Sequence, residues 1–243
     1  MAISVNTVYQ RVLGILNKEQ RGYVTAQEFN LFANQAQQDL FEQYFYDINQ
    51  FGRVPGNDTE YSDMLTLLNE KINIFETIAP PTRVAGHFIA PANLYRLGSV
   101  VYKNTTTNSF GTSSTEQIEV ERINANEFLY INSSPLTKPT NTRPVFISNT
   151  SGIKVYANSE IDSVALVDYQ YIKKPATVNW AYQIVFNEPL YNANNSTDFE
   201  LHPADEADLV IKILELAGIL IKDLNLYQVM NQEEQETIQQ EKS

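Results

Sequence analysis

Ala79-Pro80-Pro81-Thr82-Arg83-Val84-Ala85-Gly86-His87-Phe88-Ile89 divides the chain into two kinds of sequence. The Pro80-Pro81 pair stops any helix arriving from the N-terminal side, because proline lacks the donor N–H and its ring collides with the preceding turn. Beyond it the apolar residues come in short β-branched and aromatic runs at 83–89, 95–102, 117–122, 145–148, 153–156, 163–172 and 182–186, parted by Asn, Gly, Ser, Thr and Pro. These runs predict an antiparallel β module. Ser148-Asn149-Thr150-Ser151-Gly152 supplies a hairpin turn between 145–147 and 153–155, and 126–131 a short helix. The polar stretches 104–115 and 192–198 are expected to be exposed, mobile loops.

On the N-terminal side the apolar spacing is helical. Val5, Val8, Val12, Ile15 and Leu16 fall on one face after a cap at Ser4, and Thr25-Ala26-Gln27-Glu28 forms a capping box that opens a longer helix over 26–50. That second helix carries one apolar stripe at Phe29, Phe32, Ala33, Ala36 and Leu40. A second stripe, Phe41, Phe45 and Ile48, is displaced around the axis and needs separate cover, so these three residues are expected to contribute to a subunit interface as well as to the bundle core. The polar loop 52–59 breaks the helix, and Tyr61, Leu65, Leu68 and Ile72 predict a third, weaker one.

Helix returns after His202. Pro203 suits a first helical position, and Asp205, Glu206 and Asp208 suit the positive end of the helix dipole. Leu209, Val210, Ile213, Leu214, Leu216, Ala217, Leu220 and Ile221 cover most of the circumference to about 224, as in a helix buried on most sides. The Gln- and Glu-rich end, 225–243, has no apolar stripe after Met230 and reads as a frayed helix or a tail that orders only on a partner. Helices at both ends with strands between predict an α+β fold, a helical bundle from which a mainly antiparallel β module projects. The expected divisions are 1–79, 80–200, and 201–243 completing the bundle.

The composition argues against enzymatic chemistry. There is no Cys and there are only two His, so the usual nucleophiles, bases and metal ligands are scarce. His87 lies in an expected strand and His202 at an expected helix start; neither has an evident orienting partner. No catalytic residue and no cofactor is assigned. Nothing near residue 1 has the basic and apolar regions of a signal peptide, and the apolar run 213–221 is too short to cross a bilayer, so a soluble protein made in a cytoplasm is expected. The net charge of −12 is uneven: residues 200–243 hold ten acids against three bases, residues 80–180 seven acids against nine bases. Lys173-Lys174 is the one adjacent basic pair, so no patch is set to grip a row of phosphates.

One segment has metal-loop spacing. From Asn17 to Glu28 the chain matches a twelve-residue calcium loop at Asn17, Glu19, Gly22, Val24 and Glu28, with Tyr23 and Thr25 at further ligand positions. Arg21 puts a cation where an oxygen ligand belongs, and no second loop is present to pair with it. The favoured reading is Gly22 as a C-cap and Glu28 as the capping-box acid.

The opening Ser4-Val5-Asn6-Thr7-Val8-Tyr9-Gln10-Arg11-Val12, with Gln20-Arg21-Gly22-Tyr23-Val24-Thr25 and Gln27-Glu28-Phe29-Asn30, resembles virion proteins of tailed bacteriophages, particularly crAss-like and marine podovirus types. So do 91–102, 119–130, Tyr169-Gln170-Tyr171-Ile172-Lys173-Lys174-Pro175 with Trp180, and His202-Pro203-Ala204-Asp205-Glu206. The likeness covers most of the chain. It implies a neck protein of the virion: a head-to-tail connector ring, commonly twelvefold, docked below the portal and beside other neck or tail proteins. Genome DNA would pass through without specific binding, and no membrane is involved. Two other classes are a tail or receptor-binding component built on the β module, and a calcium-responsive binding module.

Overall fold

The computed structural model describes residues 3–18, 24–51, 58–107, 113–186 and 188–221, together with Gln232 and Gln235. The rest of the Gln- and Glu-rich end, and with it the expectation that this end orders on a partner, lies outside the described residues. In chain order the elements are α1 (Val5–Lys18), α2 (Ala26–Phe51), α3 (Asp58–Asn73), β1 (Glu76–Ala79), β2 (Thr82–Val84), β3 (His87–Ile89), β4 (Leu94–Thr107), β5 (Ser113–Glu119), β6 (Glu121–Arg122), α4 (Ala125–Ser133), β7 (Val145–Asn149), β8 (Gly152–Tyr156), β9 (Val167–Lys173), β10 (Tyr182–Val185), β11 (Glu188–Tyr191) and α5 (Glu206–Ile221). The fold is α+β. It divides into two compact units, Met1–Ile74 with Pro175–Ser243, and Phe75–Lys174. The boundaries therefore fall at 75 and 174, where 80 and 200 were expected. Strand β1 starts directly after α3 and pairs with β9, and residues 176–200 are hydrogen-bonded to α2.

In the helical unit α2 packs on α3 and α5, and α1 packs on α5. Phe29, Ala33, Ala36, Leu40 and Phe41 of α2 are buried, as are Val5, Val8, Val12 and Leu16 of α1 and Leu209, Ile213, Leu214 and Ala217 of α5. The capping box forms as expected. Thr25 gives its backbone N–H and its hydroxyl to Glu28 Oε2, both at 2.8 Å, and its Oγ accepts from the Glu28 N–H. The start of α1 differs: the Val5 N–H donates to Asp198 Oδ1 at 2.9 Å, while Ile3 and Phe199 exchange backbone hydrogen bonds. A carboxylate distant in sequence thus satisfies a helix N-terminus, where negative charge is favoured.

A second long-range device holds residues 176–180 against α2. Trp180 N–H donates to Asn30 Oδ1 and Val178 N–H to Asn34 Oδ1, each at 2.8 Å. The same amides return a bond from Nδ2 to Val178 O at 2.9 Å and to Trp180 O at 3.3 Å, and Gln37 Nε2 donates to Ala176 O at 2.8 Å. One face of α2 therefore acts as the edge of a sheet toward alternate residues of an extended segment. The spacings nearly match: positions 30 to 37 rise ~10.5 Å along a helix, and 176 to 180 span ~13 Å of strand. The extra methylene of Gln37 covers the shortfall. On its other edge the segment pairs Asn179 with Thr197, so the stretch 192–198, mostly exposed as expected, is bridged back to it.

The Phe75–Lys174 unit holds two sheets, ordered β1-β9-β4-β5 and β2-β3-β8-β7-β6, all antiparallel except the short parallel β6–β7 pair. Phe88, Val100, Phe146, Val155, Val167 and Tyr169 lie in its core. Residues 83–89 make a hairpin instead of one strand, turning at Ala85 and Gly86, whose φ values of 50° and 81° suit a tight left-handed turn. The expected hairpin at 148–152 is present as β7–β8. The expected loop 104–115 is strand at both ends, with Thr105 opposite Thr115 in the β4–β5 ladder.

Candidate protein-binding surface

The reactive side chains come first. His87 Nδ1 lies 3.1 Å from Ala85 O within its own hairpin. His202 Nδ1 accepts the Ala204 N–H at 3.2 Å and caps the 3₁₀ turn Pro203–Asp205 that leads into α5. Each imidazole thus serves its local backbone. A cleft of about 450 Å³ in the β unit is bordered by Gly98, Ser99, Glu119, Glu121, Arg122 and Ser148. Its Ser99 hydroxyl donates to Gln170 Oε1 at 2.7 Å, an amide that cannot take its proton as a base. Among the described residues no cluster of three or more His, Asp or Glu side chains is placed to hold a metal ion.

Of the calcium-loop residues, Glu19, Gly22 and Tyr23 lie outside the described residues, and Asn17 falls in the last turn of α1. Thr25 and Glu28 are brought together, but as the capping box. The two Thr25 donors, backbone first and hydroxyl second, hold the Glu28 carboxyl below its ordinary value. That carboxylate is already committed to a helix end.

The buried ionic groups form a clamp. Lys71 of α3 meets Asp205 Oδ1 at 2.7 Å, Tyr44 of α2 donates to Asp205 Oδ2 at 2.5 Å, and Lys71 sits 5.4 Å from the Tyr44 ring centre. All three are buried. The cluster joins α2, α3 and the entry to α5, and its polar atoms face one another, the arrangement that buried charges require.

The expected interface residues divide. Phe41 is 0% exposed and packs edge-on to Phe45, with ring centres 5.1 Å apart, so it is core and has no surface to offer. Phe45 and Ile48 are half-buried. Elsewhere in the helical unit, exposed apolar groups stand singly at Leu31 and Tyr46 of α2 and are gathered in the β10–β11 hairpin. Tyr182 pairs with Tyr191 and both rings stack on the buried Trp180 with centres 5.8 Å apart, while Trp180 lies 4.0 Å from Tyr9 of α1 and donates Nε1–H to Asn6. From that anchored base the hairpin runs outward through Ile184 and Leu190, both largely exposed, to Phe186, which is 99% exposed.

Phe186 combines this exposure with φ of 51°. A bulky side chain there is strained, by ~1–3 kcal/mol for a non-glycine left-handed residue, and turn chemistry favours Asn or Gly instead. A second apolar display lies in the β unit, where α4 buries no residue and shows Leu129 and Tyr130, followed by Leu136 in the turn beyond. The sequence marks 182–186 as a strand, but nothing local in it says which of its faces is left uncovered.

Among the described residues no helix is long and apolar enough to cross a membrane. The chain matches no protein-family model and no characterised protein.

Proposed function

We propose that this chain is a structural subunit that acts by packing against other protein subunits, as a connector ring in the neck of a tailed-phage virion. The observation that carries the reading is the display of large apolar side chains on both units, at Ile184, Phe186 and Leu190 and at Leu129, Tyr130 and Leu136. Large apolar side chains left bare on a short hairpin and on a helix that buries none of its residues are the kind of surface that a protein partner covers. The buried clamps around α2 and the extended 176–180 segment suit a rigid building block. The net charge of −12 favours passage of DNA without a grip on its phosphates. Together with the resemblance of the opening, the 91–102 stretch and the His202–Glu206 stretch to phage virion proteins, these features support a ring held by protein contacts below a portal.

The test is the state of the purified protein. Mass measurement and electron microscopy should show closed rings of one copy number, alone or on a portal ring. A protein that stays a single chain at high concentration and binds no portal would overturn the reading.

A further inference from the structure

The helical unit carries a groove as well as a knob. Between α1 and α5 lies an open apolar groove of about 450 Å³, lined by Arg11, Gly14, Ile15, Ala207, Val210 and Ile211. Gly14 leaves its floor empty, since a Cβ there would meet nothing within 4 Å. Arg11 closes one rim through its ion pair with Glu206 at 2.9 Å. We propose that the groove receives the Phe186 tip of the β10–β11 hairpin from a second copy of this chain, joining copies head to tail.

The argument for a second copy is that one unit bears both halves of the contact on opposite sides of one helix. The hairpin base stacks through Trp180 on Tyr9. At ~100° per residue, Arg11, Gly14 and Ile15 stand ~120–160° around α1 from Tyr9. A chain cannot bring its own tip to its own groove without unstacking Trp180, but a neighbour can. A knob and a hole on opposite faces make a heterologous contact, which repeats in one sense and closes into a ring if its rotation allows. The occupant's chemistry fits as well: the tip offers aromatic and aliphatic groups, and the groove offers Ile15, Val210 and Ile211 with a glycine-sized space. The strained, fully exposed Phe186 is then explained, since an aromatic at a turn position that favours Asn gains by burial in a partner. One such contact is small beside the ~1,200–2,000 Å² of a standard interface. It sets the direction and register of neighbours, while closure of the ring holds each copy from two sides. The inference rests on the reading that the chain assembles with itself.

Two substitutions test it without endangering the fold. Phe186→Asn puts a residue suited to positive φ at the turn, and Gly14→Leu fills the groove while improving helix propensity. Each should leave circular dichroism and melting intact or improved and should reduce assembly at least tenfold at fixed concentration. The chain has no cysteine, so a pair of introduced thiols reports the contact directly. Phe186→Cys combined with Ile15→Cys, oxidised with diamide, should give a ladder of covalent multimers on a non-reducing gel. Phe186→Cys combined with Tyr46→Cys should give much less. Wild-type protein that assembles while both fold-neutral variants assemble equally well overturns this contact but leaves the structural reading standing, as does an equal ladder from both cysteine pairs. Wild-type protein that forms no assembly, alone or with a portal, overturns both.

Discussion

Lys71 shows how much one side chain holds in this molecule. Its ammonium is the cation facing Asp205 Oδ1, and the other carboxylate oxygen takes the Tyr44 hydroxyl, all within a buried setting. Lys71→Met would leave a carboxylate among apolar neighbours with a single donor, and breaking one side of a buried pair costs ~3–5 kcal/mol. Adding Asp205→Asn should recover part of that loss, because the orphaned charge disappears. Urea unfolding of the two variants reads the difference, and a Lys71→Met protein as stable as wild type would show that the pair contributes nothing. Tyr169 makes the complementary case in the β unit. Its buried hydroxyl donates to Phe88 O at 3.2 Å, and burial pushes its pKa well above the ordinary 10.0. In the unfolded chain this tyrosine ionises near pH 10, whereas in the fold it keeps its proton. Above pH 10 the unfolded state therefore binds fewer protons, and stability falls by ~1.4 kcal/mol per pH unit for this group. Tyr169→Phe should cost ~1 kcal/mol at neutral pH through the lost hydrogen bond and should flatten the alkaline loss by that slope. Unfolding midpoints measured between pH 9 and 11 decide it; an unchanged alkaline slope would count against the buried-phenol account.

Among the elements, the α2 face that binds 176–180 offers the sharpest prediction. Asn34 both accepts from Val178 N and donates to Val178 O. Asn34→Ala removes both bonds and leaves a part-buried peptide group unpaired, a loss of ~2–3 kcal/mol given ~1–3 kcal/mol for each unsatisfied group. Hydrogen exchange should accelerate first at the Val178 amide, with Asn30→Ala doing the same at Trp180; uniform acceleration across α2 would mean that the amides merely support the helix. This device also shows where the sequence is legible. The helices stand out because apolar residues at three- and four-residue spacing report their own neighbours, and Thr25 with Glu28 reports its own cap. The Asn30, Asn34, Gln37 series is visible as polar residues at helical spacing beside Phe29, Ala33 and Ala36, but its partners lie 144 residues away in the case of Asn34 and Val178. Asp198 caps α1 from 193 residues away and is hidden for the same reason, while the local sequence points to Ser4. The polar ends of β4 and β5 read as loop because pairing, not side-chain apolarity, makes them strand: Asn104, Thr105, Thr106 and Thr107 pair across to β5 with few apolar residues to mark them. At the candidate surface, periodicity exposes a second stripe on α2 but cannot say that Phe41 is covered from within. It also cannot show that the tip of 182–186 is left bare.

At the scale of the whole chain, the β unit is an insertion with its own closure. Phe75 O accepts the Lys173 N–H at 2.9 Å and Glu76 pairs with Ile172, so the points where the chain enters and leaves the unit are neighbours in one sheet. The unit contains a core of its own around Phe88, Val100, Phe146, Val167 and Tyr169. Adjacent termini and an independent core are the conditions under which a segment of roughly 100 residues folds as a separate domain. Residues 75–174 expressed alone should therefore unfold in one cooperative transition with dispersed amide resonances. The complementary protein, with Ile74 joined to Pro175 through a short Gly-Ser linker, should keep its helical circular dichroism, because α1, α2, α3, α5 and the 176–180 segment meet inside the other unit. An unfolded 75–174 fragment would place the boundary elsewhere. The shortened protein carries the same division through to assembly: it retains both the Phe186 hairpin and the α1–α5 groove, so it should still form head-to-tail multimers. If it folds and stays monomeric, the contact that joins copies lies in the β unit, with Leu129, Tyr130 and Leu136 of the α4 region the residues to change next.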